Sequence, residues 1–152
     1  KKAVIRQLKH QKIYKDNEKI TEKRMAALNG LDCHLNFTQG RNGGIKSLEG
    51  LEYALNIKSL DLAGNEVVDL SPLKACKNLE VLDLGDQYLY ENNQYLTDIS
   101  PLGELINLKK LILKNNKIVD VTAISKLTKL EELDLYGNKG IKSPLFYKKM
   151  AN

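Results

Sequence analysis

The chain has 152 residues, of which 42% are hydrophobic, and a formal net charge of +5. This length and apolar content favour one domain with a buried core, and no run of 18 apolar residues predicts a membrane-spanning helix. Residues 1–34 hold nine Lys/Arg against four Asp/Glu, whereas the remaining residues hold fifteen of each. The basic character belongs to the N-terminal segment, and without a reading motif or a basic groove we expect no nucleic-acid binding.

The N-terminal segment, residues 1–34, predicts a helical cap. Val4, Ile5 and Leu8 have helical spacing, and a second helix is expected to start at Thr21 and to end at Asn29-Gly30. The opening stretch lacks the pattern of a signal peptide, which by itself says little about location. Residues 13–24 do not fit a calcium loop, because isoleucine, lysine and arginine occupy positions that need oxygen ligands.

A repeated template dominates the rest of the chain. LxxLxLxxN starts at Ile57, Leu79, Leu108 and Leu130, so the first and last steps are equal and the middle step is longer. A short recurring period predicts a solenoid, in which each unit buries its apolar side against its neighbours. Within a unit the alternating leucines predict a short strand, and an asparagine marks the following turn, as at Asn65, Asn116 and Asn138.

The return limbs of two units carry Ser-Pro, at residues 71–72 and 100–101, which predicts a one-turn helix on the outer side. Cys76 takes an inward position there. One repeat length earlier, the same frame recovers an apolar set, Ile45, Leu48, Leu51 and Ala54. One further step places Leu35 in the frame, so residues 35–44 are interpreted as a degenerate first strand, with Cys33 left in the cap.

The template resembles the leucine-rich repeat family, in particular the 22-residue repeats of bacterial internalins, over about residues 45–141. The resemblance implies an α/β fold: a solenoid with short parallel strands on the concave face, a 3₁₀ or irregular convex side and a helical N-terminal cap. The expected division is a cap at 1–34, about five repeats at 35–141 and a C-terminal tail or partial cap at 142–152, in one structural domain.

Two surfaces are candidates for binding. In this family the concave sheet is the usual docking surface, although a solvated face whose charges neutralise one another across strands is an alternative. The second candidate is a seven-residue insertion near residues 85–94, rich in tyrosine, with Gln87 and Gln94 competing for the asparagine position; the alternative is a tolerated bulge. The candidate protein-binding residues are Lys58, Asp61, Glu80, Asp83, Asp86, Tyr88, Tyr90, Tyr95, Lys110, Ile112, Lys114, Glu132, Asp134 and Tyr136.

Catalytic and metal-binding patterns do not emerge from the sequence. His10 and His34 lack ligand partners at zinc spacing, and nucleophile elbows and phosphate-binding glycine loops are missing. The aspartates at 61, 83 and 134 recur with the repeat and are interpreted as a solvated column. We expect no enzyme activity, no cofactor and no metal; Asn36-Phe37-Thr38 is a glycosylation sequon that matters only in a eukaryotic secreted chain.

The functional hypothesis is therefore a non-catalytic recognition module. The resemblance implies a secreted or cell-surface bacterial protein involved in adhesion, with a protein partner such as a host or cell-surface receptor, no membrane insertion and a monomeric state. Two alternatives stay open: a cytoplasmic scaffold or regulatory subunit, and a structural spacer.

Overall fold

A parallel sheet of five short strands runs along the molecule. The computed structural model describes residues 21–34, 44–89 and 93–141. The strands of this sheet are β1 (Gly30–Asp32), β2 (Ser59–Asp61), β3 (Val81–Asp83), β6 (Lys110–Ile112) and β7 (Glu132–Asp134). They follow one another in the order of the chain, and the central leucines of neighbouring strands stand in register, from Leu31 to Leu133.

Short 3₁₀ helices form the opposite side of the solenoid, as the Ser-Pro limbs predict. Two of them start with Ser-Pro, whose fixed φ suits the first positions of a helix. The inward residues of these limbs pack into one continuous core with the strand leucines. The 3₁₀ helices are Leu51–Tyr53, Ser71–Ala75, Ser100–Glu104 and Thr122–Lys126. The predicted solenoid of parallel strands and 3₁₀ limbs is confirmed.

The recovered early limb is also confirmed, because Ile45, Leu48, Leu51 and Ala54 are each at most 2% exposed. Cys76 is inward and fully buried, as predicted. Burying such side chains is the main favourable term in the fold, on the order of 1.5–3 kcal/mol for each large aliphatic residue. Stability therefore comes from stacking coil on coil.

A ladder of buried side-chain amides joins successive coils at the turn that follows each strand. Asn65, for example, donates from Nδ2 to the carbonyl of Cys33 in the coil before it and to that of Leu62 in its own coil, both at 2.8 Å. Its Oδ1 accepts from the backbone N–H of Ile45 at 2.9 Å. The turn thus satisfies backbone groups that are shielded from water. The ladder consists of Asn65, Gln87, Asn116 and Asn138.

Gln87, and not Gln94, occupies the asparagine position in the third coil. Its side chain is fully buried. Nε2 donates to the carbonyls of Leu62 at 2.7 Å and Gly85 at 3.0 Å, while Oε1 accepts from the N–H of Val67 at 3.0 Å. The longer glutamine side chain therefore contacts the preceding coil as Asn65 does, and in its own coil it donates to the carbonyl two residues earlier.

A second amide ladder lies on the surface, at the turn that precedes each strand. In three coils an asparagine directly before the first leucine of the template donates to a backbone carbonyl of the preceding coil. These bonds are Asn56 to Ala26 (2.7 Å), Asn78 to Leu55 (2.8 Å) and Asn107 to Lys77 (2.9 Å). The strands are consequently held by amide bridges at both of their ends.

The described part of the cap contains one short helix, α1 (Glu22–Ala26). Thr21 is its N-cap, as predicted, and accepts from the N–H of Arg24. The predicted end at Asn29-Gly30 is wrong, because the helix stops at Ala26 and Gly30 already starts β1. Met25 is buried and covers the end of the core.

The first strand of the sheet corrects the sequence interpretation. The strand that pairs with β2 is Gly30–Asp32, so the assignment of the first strand to residues 35–44 is wrong. Leu28, Leu31 and Cys33 are all buried in the core and have the same relative spacing as the first three apolar positions of the next coil. Cys33 therefore belongs to the first coil and not to the cap. The division into 1–34, 35–141 and 142–152 otherwise stays a prediction, and residues 142–152 lie outside the described part.

The insertion in the third coil forms a β-hairpin directly after Gln87. Its strands are β4 (Tyr88–Leu89) and β5 (Gln94–Tyr95), which pair antiparallel with Tyr88 opposite Tyr95. Asn93 has a φ of 52°, the left-handed conformation that suits asparagine in a tight turn. The hairpin therefore stands at the edge of the sheet where the parallel strands end.

Candidate functional site

The sheet face is the surface made by the outward side chains of the five parallel strands and the residues that flank them. Its charges form ion pairs across the strands. Glu80 lies between two lysines, with Lys58 Nζ at 3.6 Å from its Oε1 and Lys109 Nζ at 2.6 Å from its Oε2. The hydrogen bond from Lys109 lowers the pKa of Glu80 and raises that of Lys109.

Two more pairs continue this pattern toward β7. Lys110 Nζ lies 2.6 Å from Glu132 Oε1, and Lys114 Nζ lies 3.9 Å from Asp86 Oδ2. Asn115 also donates to Asp86 Oδ1 at 2.9 Å. The sequence predicted outward side chains that are acidic in one coil and basic in the next. In the structure these opposite charges neutralise one another within the molecule, which agrees with the alternative of a self-neutralised face.

The aspartate column has a structural role that the sequence did not reveal. Asp61, Asp83 and Asp134 each accept through Oδ1 from the backbone N–H two residues later, at 2.8–2.9 Å. This bond closes the turn at the end of each strand. Burial raises the pKa of Asp83, while Asp61 also lies 3.8 Å from His34 Nδ1.

Asp86 is constrained by the backbone as well. Its φ is 59°, a left-handed conformation, and it directly precedes the ladder amide Gln87. The residue at the same place in three other coils is also left-handed: Gly64, Asn115 and Gly137. The buried amide therefore requires a left-handed residue before it. Asp86 and its bond to Asn115 contribute to the turn in addition to any role at the surface.

Exposed apolar side chains distinguish one part of the sheet face. Tyr136 is 78% exposed and Val81 is 37% exposed, while Ile112 is half-buried. Val81 lies on β3, Ile112 lies on β6, and Tyr136 lies two residues after the end of β7, among the paired charges. Aromatic and aliphatic groups presented among neutralised charges are typical of the centre of a protein–protein contact.

The hairpin tyrosines pack on each other and on the next coil. The ring centroids of Tyr88 and Tyr95 are 4.5 Å apart at an interplanar angle of 43°. Tyr88 donates its hydroxyl hydrogen to Asn93 Oδ1 at 2.7 Å, and Lys117 Nζ lies 3.8 Å from the centre of the Tyr95 ring. Tyr90 lies outside the described residues. Within the hairpin, Tyr88 and Tyr95 therefore form a tilted aromatic pair beside the sheet face.

Groups suited to covalent or metal chemistry are not assembled in the described part of the chain. Burial raises the pKa of the Cys33 thiol to about 12 and that of Cys76 to about 11, so both stay protonated at neutral pH. Among residues 21–34, 44–89 and 93–141, no three His, Cys, Asp or Glu side chains converge on a metal-sized space. No helix in these ranges is long and apolar enough to cross a bilayer.

Comparison with known proteins gives the same fold. An internalin, InlF, from Listeria monocytogenes is 25% identical, with a TM-score of 0.81 over 97% of this chain and 40% of its own. The functional domain of InlJ, also from Listeria monocytogenes, is 16% identical, with a TM-score of 0.60 over 83% of this chain and 28% of its own. This chain thus spans well under two thirds of the length of either internalin.

A plant protein extends the comparison. The ectodomain of the Arabidopsis thaliana membrane receptor kinase GASSHO1/SCHENGEN3, solved in complex with CASPARIAN STRIP INTEGRITY FACTOR 2, is 22% identical. Its TM-score is 0.54 over 78% of this chain and 14% of its own. Comparison with curated proteins gives no significant match.

The family profile described as Leucine Rich repeats (2 copies) matches residues 55–104 and 106–147, which together cover more than half of the chain. The matched ranges include β2, β3, β6 and β7 with the limbs between them. The resemblance seen in the repeated template is therefore confirmed. This chain belongs to the leucine-rich repeat family and is internalin-like in structure.

Proposed function

We propose that this chain is a non-catalytic protein-recognition module whose partner docks on the sheet face, with the tyrosine hairpin at its edge. The observation that carries the proposal is the set of apolar side chains on a sheet of paired charges: Val81 and Tyr136 are exposed and Ile112 is half-buried. A tyrosine ring offers a large contact area and loses little conformational entropy on binding.

The paired charges support recognition in a specific way. Lys110 and Glu132 already satisfy each other at 2.6 Å, so a partner that covers them does not leave an isolated buried charge, which is the costly outcome. A partner with the wrong charge pattern would break these pairs and meet repulsion. The charged candidates of the sheet face therefore contribute specificity, and the apolar candidates contribute affinity.

The wider context of the proposal is a secreted or surface-attached bacterial protein that acts in adhesion. The support is the structural likeness to InlF over nearly the whole chain. The complex of the plant ectodomain gives a precedent for a repeat solenoid of this kind with a bound partner. We propose a monomer with a receptor-like protein partner; a cytoplasmic scaffold is the alternative.

The experiment that tests the proposal compares two exposed apolar residues, one on the sheet face and one in a turn outside it. Tyr136→Ser removes a 78% exposed ring from the sheet face, and Ile106→Ser removes a 55% exposed side chain from the turn that precedes β6. Both variants are expected to fold, since neither side chain is in the core. Each is presented beside the wild type to an array of purified extracellular proteins.

A partner that binds the wild type and Ile106→Ser, and binds Tyr136→Ser at least about tenfold more weakly, supports docking on the sheet face. Equal binding by all three proteins refutes that surface. Tyr88→Ala tests the hairpin separately, because it removes one ring of the tilted Tyr88–Tyr95 pair. If no array protein binds, the spacer hypothesis is favoured, since a self-neutralised sheet face is also what a structural unit requires.

A further inference from the structure

The parallel sheet has an open edge at β7, the last strand in its order. Toward β6, the N–H of Glu132 donates to the carbonyl of Lys109 at 2.9 Å, and the carbonyl of Asp134 accepts from the N–H of Leu113 at 2.8 Å. The backbone groups of successive residues in a strand point to opposite sides, so the N–H and C=O of Leu133 point away from β6. Within the part of the chain that the structure describes, no strand lies on that side. Such an edge is a template for pairing with another strand.

The same edge leaves part of the apolar core uncovered. The central leucines of β2, β3 and β6 are at most 1% exposed, whereas Leu133 and Leu135 of the last coil are only partly buried. At the other end of the sheet, where the cap lies, Leu31 of β1 is 3% exposed. A strand added at β7 would therefore bury apolar surface in addition to pairing backbone groups.

Charges at the start of the strands indicate the chemistry of a segment that fits this edge. At one position of the repeat the coils alternate between basic and acidic residues, in the order Lys58, Glu80, Lys109 and Glu131. Glu80 has a lysine on each side, with Nζ of Lys58 at 3.6 Å and Nζ of Lys109 at 2.6 Å. Glu131 is exposed and forms no salt bridge within residues 21–34, 44–89 and 93–141. A strand that continues the alternation on the open side carries basic residues here.

We propose that the open edge of β7 binds an extended segment of a partner protein, which adds to the sheet as a sixth parallel strand. The segment carries basic residues opposite Glu131 and Glu132 and apolar residues opposite Leu133 and Leu135, as β6 and its flanking residues do on the other side. In strand addition the main-chain hydrogen bonds supply affinity and the side chains supply specificity. A second copy that paired its own β7 antiparallel with this edge would set acidic side chains against acidic side chains, so charge disfavours that occupant.

This inference does not depend on the proposed docking on the sheet face, because the edge consists of backbone groups and the sheet face consists of outward side chains. It holds for a partner that pairs with β7 whether or not the same partner also covers the strands. The two surfaces are distinguished in one titration by the backbone amides that respond. The amides of Leu133 and Leu135 report on the edge, while those of Val81 and Asp83, two strands away, report on the sheet face.

The test is a nitrogen–proton NMR titration of the chain with the capped hexapeptide acetyl-Val-Lys-Lys-Val-Thr-Val-amide. Its residues repeat the apolar and charged positions of residues 108–113, with both charges at the start of the strand. The expected result is a saturable shift of the Leu133 and Leu135 amides, together with slower hydrogen exchange of both. A matched peptide with glutamate in place of the two lysines should bind at least about fivefold more weakly.

N-methylated peptides separate strand addition from attachment by charge alone. In the proposed register the N–H groups of the third and fifth peptide residues face β7, whereas that of the fourth residue faces away. N-methylation of the fifth residue should therefore abolish binding, and N-methylation of the fourth residue should preserve it. Equal effects of the two methyl groups would overturn the proposal.

The double variant Glu131→Gln, Glu132→Gln should weaken binding of the lysine peptide about fivefold, and both side chains are exposed, so the variant is expected to fold. Glu104→Gln is the control, because Glu104 is an exposed glutamate paired with Lys77 at 2.8 Å away from the edge. It should bind the peptide like the wild type. No saturable shift, or an equal loss in the control, would refute strand addition. Slow exchange of the Leu133 amide before any peptide is added would do the same, because another part of the chain, or a second copy if protection rises with protein concentration, then covers the edge.

Discussion

The buried amide ladder predicts a large effect from a single truncation, Gln87→Ala. The substitution removes three side-chain hydrogen bonds, those to the carbonyls of Leu62 and Gly85 and that from the N–H of Val67. It also removes a fully buried side chain. The variant therefore tests whether one glutamine stabilises the junction of two coils.

The size of the loss in unfolding free energy depends on which hydrogen bonds remain to each of the three backbone groups. Leu62 O still accepts from Asn65 at 2.8 Å, and Gly85 O still accepts from the N–H of Gly64 at 3.0 Å. Only the N–H of Val67 loses a partner that the described chain does not replace. An unsatisfied buried donor costs about 1–3 kcal/mol and the two other bonds together about 1 kcal/mol, and the lost burial adds about 1 kcal/mol. The total is about 3–5 kcal/mol.

The assay is equilibrium urea unfolding followed by far-UV circular dichroism, because the chain has no tryptophan. The control is Asn78→Ala, which removes a single amide bond of 2.8 Å to Leu55 O on the exposed ladder. Water replaces that bond, so we expect a loss of about 0.5–1 kcal/mol. A loss below about 1 kcal/mol for Gln87→Ala, or one equal to that of Asn78→Ala, would refute the reasoning.

Two further substitutions test the turns. Gly137→Ala should destabilise the chain more than Gly50→Ala: both have positive φ, 80° and 101°, but the new methyl at 137 would lie 3.0 Å from Asn115 Cα, while the one at 50 meets nothing within 4 Å. Thermal unfolding of both variants checks this, and equal losses would contradict it. Asp83→Asn should raise the Tm at pH 7, because burial raises the pKa of Asp83 and its ionised form therefore opposes folding. The gain in Tm should shrink as the pH falls through the raised pKa of Asp83 and vanish below about 3.8, where the wild-type carboxyl is protonated in both the folded and the unfolded state. Asp134→Asn, which keeps the same turn, is the control. A gain in Tm that persists in acid would contradict the assignment of the effect to the ionised Asp83 carboxylate.

The repeated template predicted most of the core, because an inward position in a stacked coil must be apolar whatever the surface does. It misplaced the first strand for a physical reason. An insertion at a turn does not disturb the buried positions, so the number of residues in a coil is free to vary. Counting back by a constant repeat length therefore places the first strand wrongly, because the first coil is longer than the repeat. The signal was present in Leu28, Leu31 and Cys33, which repeat the spacing of the later strands.

The binding candidates were harder to predict. Ion pairs such as Lys110 with Glu132 depend on how two long side chains orient across neighbouring strands, which the residue types alone do not show. The turn role of the aspartate column follows from backbone geometry that the sequence does not display. The sequence alone does not show whether Gln87 or Gln94 takes the asparagine position, because the two side chains have the same length and amide. The hydrogen bonds of the buried ladder decide it.

Both amide ladders have a direction, and this bears on how the chain is built during synthesis. On the buried side Asn116 donates to Leu84 in the coil before it, and on the surface Asn107 donates to Lys77; the other members point the same way. A coil that leaves the ribosome therefore finds its acceptor carbonyls already in place on the coil that emerged earlier. Each coil serves as a template for the next, so assembly is expected to advance from the first strand toward the last.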